Sequence, residues 1–460
     1  MTGIRPILGI LFLLVMAAAA QEPSTREALS QEPAVQGTET LQEAPAQTGF
    51  YFSSPLAVSA AREDELQVGQ RRFDDDALLL SAPEFAFRSA APRTDFFLGY
   101  KPELQLFKRH SDLNTLDHAA RFRLTHRITP RLRLDAQDSF LQTEDPTRML
   151  SDSILLLPRS QFGSNSFSFA VDYDLSPQTR LSPTFLNTIS KLLLPEVRET
   201  DLFTGRFEQM GTAAMVTLSH MLNRQHQVSG SYSYFVIQDL KRGLHFPFGR
   251  AAGSQSTNGL SAAYQYGFEP YGISLELSAG ALVSSSTTYR VAARFEKRWP
   301  SFVFATGYSR ELALFSGLSP TAAASGLARG VVPDNFYQMA MVNLEGRLGN
   351  RWGMELKAQV GKSNSGIQIA DIESVSGRVR VSYRVSERIY PFVGAEIHNQ
   401  SFSEFLLTSL ARRRYFAGIS IALSRPPEWQ TLPDQTGEWP DAPWPGSAQV
   451  RNPGSERWRD

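Results

Sequence analysis

LDHAARFRLTHRITPRLRLDAQDSF, residues Leu116 to Phe140, is the stretch whose reading decides the fold. Taken in steps of two, Ala120, Phe122, Leu124 and Ile128 fall on one side of an extended chain, and Arg121, Arg123, Thr125 and Arg127 on the other. Alternation of this kind predicts a strand with one apolar face. After Thr129 and Pro130 it resumes, with Leu132, Leu134, Ala136 and Phe140 apolar against Arg133, Asp135, Gln137 and Ser139. Two such strands joined by a tight turn predict an antiparallel hairpin. A soluble sheet could use one such hairpin against a core, so the question is whether the chain supplies a core or repeats the hairpin.

It repeats the hairpin. Phe96, Leu98, Tyr100, Leu104 and Leu106 precede it. Phe167, Phe169, Val171 and Tyr173 follow, opposite Ser168, Ala170, Asp172 and Asp174. Val228, Tyr232, Tyr234 and Val236 alternate with Ser229, Ser231 and Ser233, and Ile273, Leu275 and Leu277 with Ser274, Glu276 and Ser278. Further on, Tyr289, Val291, Ala293 and Phe295 oppose Arg290, Arg294, Glu296 and Arg298; Leu356 and Ala358 flank Lys357; Val379, Val381 and Tyr383 oppose Arg378, Arg380 and Arg384. The segments number about sixteen, with fourteen or eighteen as alternatives, and even numbers are the habit of bacterial barrels. Connections alternate as well: short ones at Thr129, Ser176, Asn223, Glu269, Trp299, Gly349 and Ser386, mostly longer ones between. A soluble sandwich has no reason to sort loop length by parity, whereas a membrane barrel has short periplasmic turns and longer external loops.

Composition agrees. Of 460 residues, 20% are charged and 11% aromatic, formal net charge is zero and mean hydropathy is −0.24. No stretch after the N-terminus approaches the roughly 18 apolar residues of a spanning helix. Alternating strands average to mild polarity while still presenting an apolar belt. Neutral charge gives no electrostatic case for nucleic acid. Cysteine is absent, which excludes disulfides, thiolate metal sites and cysteine nucleophiles.

Arg5, the apolar run Ile7 to Val15 and the Ala17 to Ala20 exit read as a signal peptide over residues 1–20. Residues 21–93 read as a largely disordered periplasmic leader, with a short ordered element at 77–87. The barrel is expected over 94–424, and 425–460 is a Pro- and Trp-rich periplasmic tail. Aromatics at strand ends, such as Tyr271, Trp299, Trp352 and Tyr390, fit a girdle at the membrane boundary.

With the signal peptide, the segment from His110 to Phe140 and the closing strand RYFAGISIALS from Arg414 to Ser424, the chain resembles bacterial outer-membrane β-barrels, and within them the β-barrel porin group. The resemblance covers about Asp95 to Ser424. It implies an all-β, antiparallel up-and-down transmembrane barrel in the bacterial outer membrane. It also implies lipid and lipopolysaccharide as surroundings, the barrel-assembly machinery as a partner, and a homotrimer as candidate assembly. Gly418, Ile421 and Leu423 resemble the assembly signal of such barrels, although Phe416 stands where that pattern has a polar residue.

The lumen-facing candidates are Arg121, Arg123, Arg127, Arg133, Asp135, Asp172, Asp174, Glu276, Arg290, Arg294, Glu296, Arg298, Lys357, Arg378, Arg380 and Arg384. Fixed charge inside a pore sets ion preference, so the excess of arginine favours anions unless the carboxylates neutralise it. Residues 187–203 are expected to be the third long loop, where Leu192, Leu193, Leu194 and Glu196 would narrow the channel, as the third loop does in the porins this barrel resembles. His110, Asp112, Asp117 and His118 lie close in sequence, but alternation turns His118 outward, so no metal site is expected. No Gly-x-Ser-x-Gly occurs, no cofactor is implied and no enzyme is expected. The expected function is passive diffusion of small polar solutes; the alternative is a structural or export barrel with a closed lumen, for instance for surface polysaccharide.

Overall fold

The computed structural model describes residues 47–68, 71–145, 161–193, 206–241, 254–283, 287–312, 336–364, 372–402 and 410–423, and the account below concerns these. They form twenty strand segments. In chain order these are β1 (Gln47–Phe52), β2 (Leu56–Val68), β3 (Arg71–Ser81), β4 (Phe85–Ala91), β5 (Thr94–Phe107), β6 (Thr115–Thr129), β7 (Leu132–Thr143), β8 (Gln161–Asp174), β9 (Thr179–Leu193) and β10 (Arg206–Met221). They continue with β11 (His226–Lys241), β12 (Ser254–Phe268), β13 (Ile273–Val283), β14 (Thr287–Arg298), β15 (Phe302–Leu312), β16 (Phe336–Leu348), β17 (Trp352–Asn364), β18 (Ile372–Tyr383), β19 (Ile389–Phe402) and β20 (Leu410–Ile421).

From β5 to β20 each segment pairs antiparallel with the next, and β20 then pairs with β2, from Leu56↔Ile421 to Asp64↔Arg413. The sheet is therefore closed. β3 pairs with the second half of β5 and β4 with its first half, so β3 and β4 are one wall strand interrupted at residues 82–84. β1 and β2 likewise form one strand, since β1 pairs with β4 and β2 with β3. Twenty segments thus make eighteen wall strands.

This corrects the expected sixteen, and the additional strands come from residues assigned to the leader. The described barrel begins at Gln47 rather than near residue 94. In β3, Leu78, Leu79 and Leu80 break the alternation that betrays a barrel strand, because Leu79 faces inward onto a small cluster with Ala61, Phe392 and Phe416. An inner face packed with apolar side chains carries no polar signature.

Prolines sit where the wall can spare a donor. Pro102 in β5 accepts a hydrogen bond from Ala82 N–H through its carbonyl. Amide and carbonyl of one residue point to the same side of a strand, so its missing N–H faces the interruption between β3 and β4. Pro183 in β9 lies opposite a gap in the pairing with β8. The expected short turns are all present, and Gly272 and Gly349 adopt positive φ in two of them.

The two faces differ sharply. Leu260 is 66% exposed, Val393 57% and Leu116 54%, and aliphatic or aromatic residues of this kind recur around the wall. On the opposite face, Arg412 of β20 touches Asp145, which lies just past Glu144 beyond the end of β7. Four wall strands lie between β20 and β7, so only residues inside the barrel can meet in this way. The polar face is the inner one, and the apolar face points outward.

Candidate channel interior

The inner wall carries a chain of alternating charge that crosses the closure of the barrel. Arg378 Nε lies 3.6 Å from Glu355 Oε1 and 3.4 Å from Glu396 Oε1. Arg414 bridges Glu396 at 3.5 Å and Glu63 at 3.4 Å. Arg412 then holds Glu63 at 2.6 Å and Asp145 at 2.7 Å. Glu63 is fully buried and also accepts from Gln105 Nε2 at 3.4 Å. Seven side chains from β17, β18, β19, β20, β2 and the end of β7 are linked. Buried charges must be paired to be tolerated at all, and here each arginine faces two carboxylates.

Around this chain the packing is close. The Phe392 and Phe416 rings meet edge to face at 6.1 Å, Arg380 lies 4.2 Å over Phe392, and Arg414 lies 5.5 Å over Phe416. Phe416 stands opposite Gly394, and Phe392 opposite Gly418. A Cβ on Gly394 would collide with Phe416 Cζ, and one on Gly418 would come within 2.8 Å of Phe392 Cζ. Each ring covers a glycine on the neighbouring strand, which accounts for Phe416 at a position expected to be polar.

The expected lumen residues fall on the inner face by register, except Arg384, which lies just past the end of β18. Arg121 grips Glu84 with both nitrogens of its fork and lies 4.8 Å over Phe97. Gly99 leaves the room, since a Cβ there would meet the Glu84 carboxylate. Arg133 donates to Asp135 at 2.8 Å, and Asp135 also takes the Thr125 hydroxyl at 2.5 Å. Asp172 accepts from Ser182 at 2.6 Å, and Asp174 from Arg180 at 2.8 Å. Glu296 sits between Arg294 at 3.1 Å and Arg298 at 2.6 Å. Glu276 stands opposite Arg294, and Lys357 opposite Arg378. Arg290 donates to Ser261 at 3.0 Å. Arg123 stands opposite Gln137, while Arg127 and Arg384 are exposed near the short-turn end.

The expected constriction loop is different. β9 runs on to Leu193, because alternation persists through outward Ile189 and inward Thr188 and Ser190. Leu192 and Leu193 are therefore wall residues, and Leu194 and Glu196 lie outside the described residues. Of the assembly-signal candidates, Gly418 lies within β20, Ile421 is its last residue, and Leu423 is exposed just beyond. His110 and His118 part company: His110 Nδ1 meets the buried Asp75 at 2.8 Å, whereas His118 Nδ1 meets Tyr100 Oη at 2.7 Å on the outer face.

Sequence reading missed Glu63, Glu84, Asp145, Glu396, Arg412 and Arg414. Glu63 and Glu84 lay in the supposed leader. Glu396 could have been found, since it alternates with the outward Val393, Ala395 and Ile397.

A closed antiparallel sheet satisfies its own backbone, and with an apolar outer and a polar inner face it defines a transmembrane β-barrel. Solved structures with a similar chain path are the FrpB iron transporter of Neisseria meningitidis (9% identical, covering 77% of this chain and 65% of that one, TM-score 0.41) and OpdO of Pseudomonas aeruginosa (12%, 82% and 98%, 0.42). A third is the siderophore receptor PirA of Pseudomonas aeruginosa (10%, 81% and 81%, 0.38). This chain spans less than two thirds of the FrpB chain. Likeness at this level carries nothing about solute or mechanism. No family model matches the sequence, and no curated protein matches it either.

Proposed function

We propose that the protein is a bacterial outer-membrane channel through which small polar solutes diffuse passively. The observation that carries this reading is the accessible inner wall. Inward residues such as Arg127, near the short-turn end, and Gln137 and Ser139, further along β7, are exposed inside the barrel. Closed walls of sixteen to eighteen strands leave an aqueous bore rather than a packed core. The signal-peptide pattern expected over residues 1–20 and the sorting of loop lengths support placement in the outer membrane, with short turns in the periplasm. The reading contains no cofactor and no chemical step.

An anion preference has less support than the arginine count suggests, because Arg121, Arg133, Arg294, Arg298 and Arg378 each hold a carboxylate. A locally neutral pair offers a passing anion little net field. Liposome swelling with neutral, anionic and cationic solutes of matched size tests the reading. Swelling in all three, with modest differences, is expected; no swelling in any would remove it.

A second reading, a structural or export barrel with a closed lumen, is favoured by one observation. Inward residues near the long-connection end are buried on strand after strand, including Asp117, Thr188, Ser233, Thr257, Ser309 and Ser374. On that reading the purified barrel would conduct no ions.

A further inference from the structure

Charge and hydroxyl are segregated around the inner wall. From Phe162 to Ala170 on β8, Ser182 to Ser190 on β9, Gly211 to Ser219 on β10, Gln227 to Phe235 on β11 and Thr257 to Gln265 on β12, no inward position holds an ionisable residue. Serine, threonine, glycine and alanine dominate there. The ion pairs concentrate on the other strands and at the short-turn ends of β8 and β9.

We infer that the solute path runs along this hydroxyl wall and that the wall binds neutral, hydroxyl-rich small solutes. The inference rests on the channel reading above and names its solute class. Ser166, Ser168, Thr184, Ser231, Ser261 and Ser278 are half-buried, so their hydroxyls reach the lumen. Neighbouring strands align them: Ser231 and Ser261 oxygens are 2.6 Å apart, and Ser166 and Thr188 oxygens 3.1 Å. A hydroxyl has one donor and two acceptor sites, so each pair keeps capacity for a third partner.

Two contacts border this wall. The Arg412–Asp145 contact links β20 to the end of β7 inside the barrel and separates the sector of β2 to β6 from the hydroxyl wall at that level. Opposite, Arg290 reaches across Gly280 to Ser261 and marks the border of the wall. A Cβ on Gly280 would come within 2.7 Å of Ser261 Cβ, so the bare position keeps that crossing open. A charged solute finds many of the counter-ions on the other strands already paired. A polyol can trade water for wall hydroxyls at nearly even free energy per bond, which gives weak binding at several sites and allows release.

The test uses the full chain in planar bilayers in potassium chloride, with xylitol and the size-matched anion xylonate as probes. Xylitol is expected to lower the conductance saturably, and xylonate to do so only at higher concentration. Ser166→Ala/Ser231→Ala/Ser261→Ala should raise the half-blocking xylitol concentration about threefold or more, as loss of several weak hydrogen bonds requires. Ser231→Thr, which keeps a hydroxyl, and Arg380→Gln, on the charged wall, should leave the block in place. A xylitol block that is absent, unaltered in the triple variant, or weaker than that by xylonate overturns the inference while the channel reading stands. A full chain that conducts no ions overturns both.

Discussion

Arg412 and Asp145 are joined by two hydrogen bonds, of 2.8 and 2.7 Å, across an interval of 267 residues in sequence. Arg412 also holds Glu63 with two of its nitrogens, at 2.9 and 2.6 Å. One guanidinium therefore ties the last strand to the first and to the end of β7. Removing it takes a charged partner from buried Asp145 and leaves buried Glu63 to Arg414 at 3.4 Å, the costly way to break such a site. Arg412→Met should lower folding stability by about 3–5 kcal/mol, read from the urea midpoint in detergent. Arg412→Met/Glu63→Gln/Asp145→Asn should recover most of that loss. A single variant as stable as the parent would show that the network braces nothing.

The paired rings and glycines of the closing strands make a second, independent prediction. Phe416 covers Gly394 from across the β19–β20 pair. Gly394→Ala should cost about 1–3 kcal/mol by overpacking. Combined with Phe416→Leu, the same change should cost less than the two single losses added together, because the added methyl then meets no ring edge. Strict additivity in that cycle would place the ring away from the glycine.

How far the fold was legible follows from these same residues. The hairpin of Leu116 to Phe140 announced itself because Arg121, Arg123 and Arg127 face the barrel interior while Phe122 and Leu124 face outward. β2 and β3 did not, because Ala61 and Leu79 pack onto Phe392 and Phe416 inside the barrel, and an apolar inner face cancels the alternation. Glu84 looked like part of a leader, yet it is the partner of Arg121. Asp145 could not be matched to Arg412 by any local pattern, since their meeting depends on closure of the whole sheet. The series Ser229, Ser231 and Ser233 was visible from the outset. Its neutrality gave no reason to single it out until the ion pairs were seen to gather on the other strands.

The assignment of faces can be tested by charge. Val379 points outward between Leu356 on β17 and Ala395 on β19, near the middle of its strand. An arginine there must sit in hydrocarbon, so Val379→Arg should cost about 2–4 kcal/mol in lipid vesicles. Ser168 points inward, and on the channel reading it meets water. Ser168→Lys should change stability by no more than about 0.5 kcal/mol. Equal costs at the two positions would mean that the outer face does not meet lipid.

The height of the membrane boundary is testable at Trp352. Its ring is 50% exposed at the start of β17 and packs 4.8 Å from Tyr383. On the same end of the barrel Lys297 lies 4.9 Å over the ring of Trp299, an ammonium on an aromatic face at the water side. Aromatic rings with one polar edge collect at the headgroup level, where apolar body and polar tip are both satisfied. With the other five tryptophans replaced by phenylalanine, Trp352 emission should be quenched about twofold more by lipids brominated close to the headgroup than by lipids brominated near the chain ends. Exposed Leu277, Val379 and Val393 lie further along the wall from this end, where the hydrocarbon belt is expected. The reverse order of quenching would move the short-turn end into the hydrocarbon and shift the whole belt along the strands, while no quenching by either lipid would leave Trp352 in water.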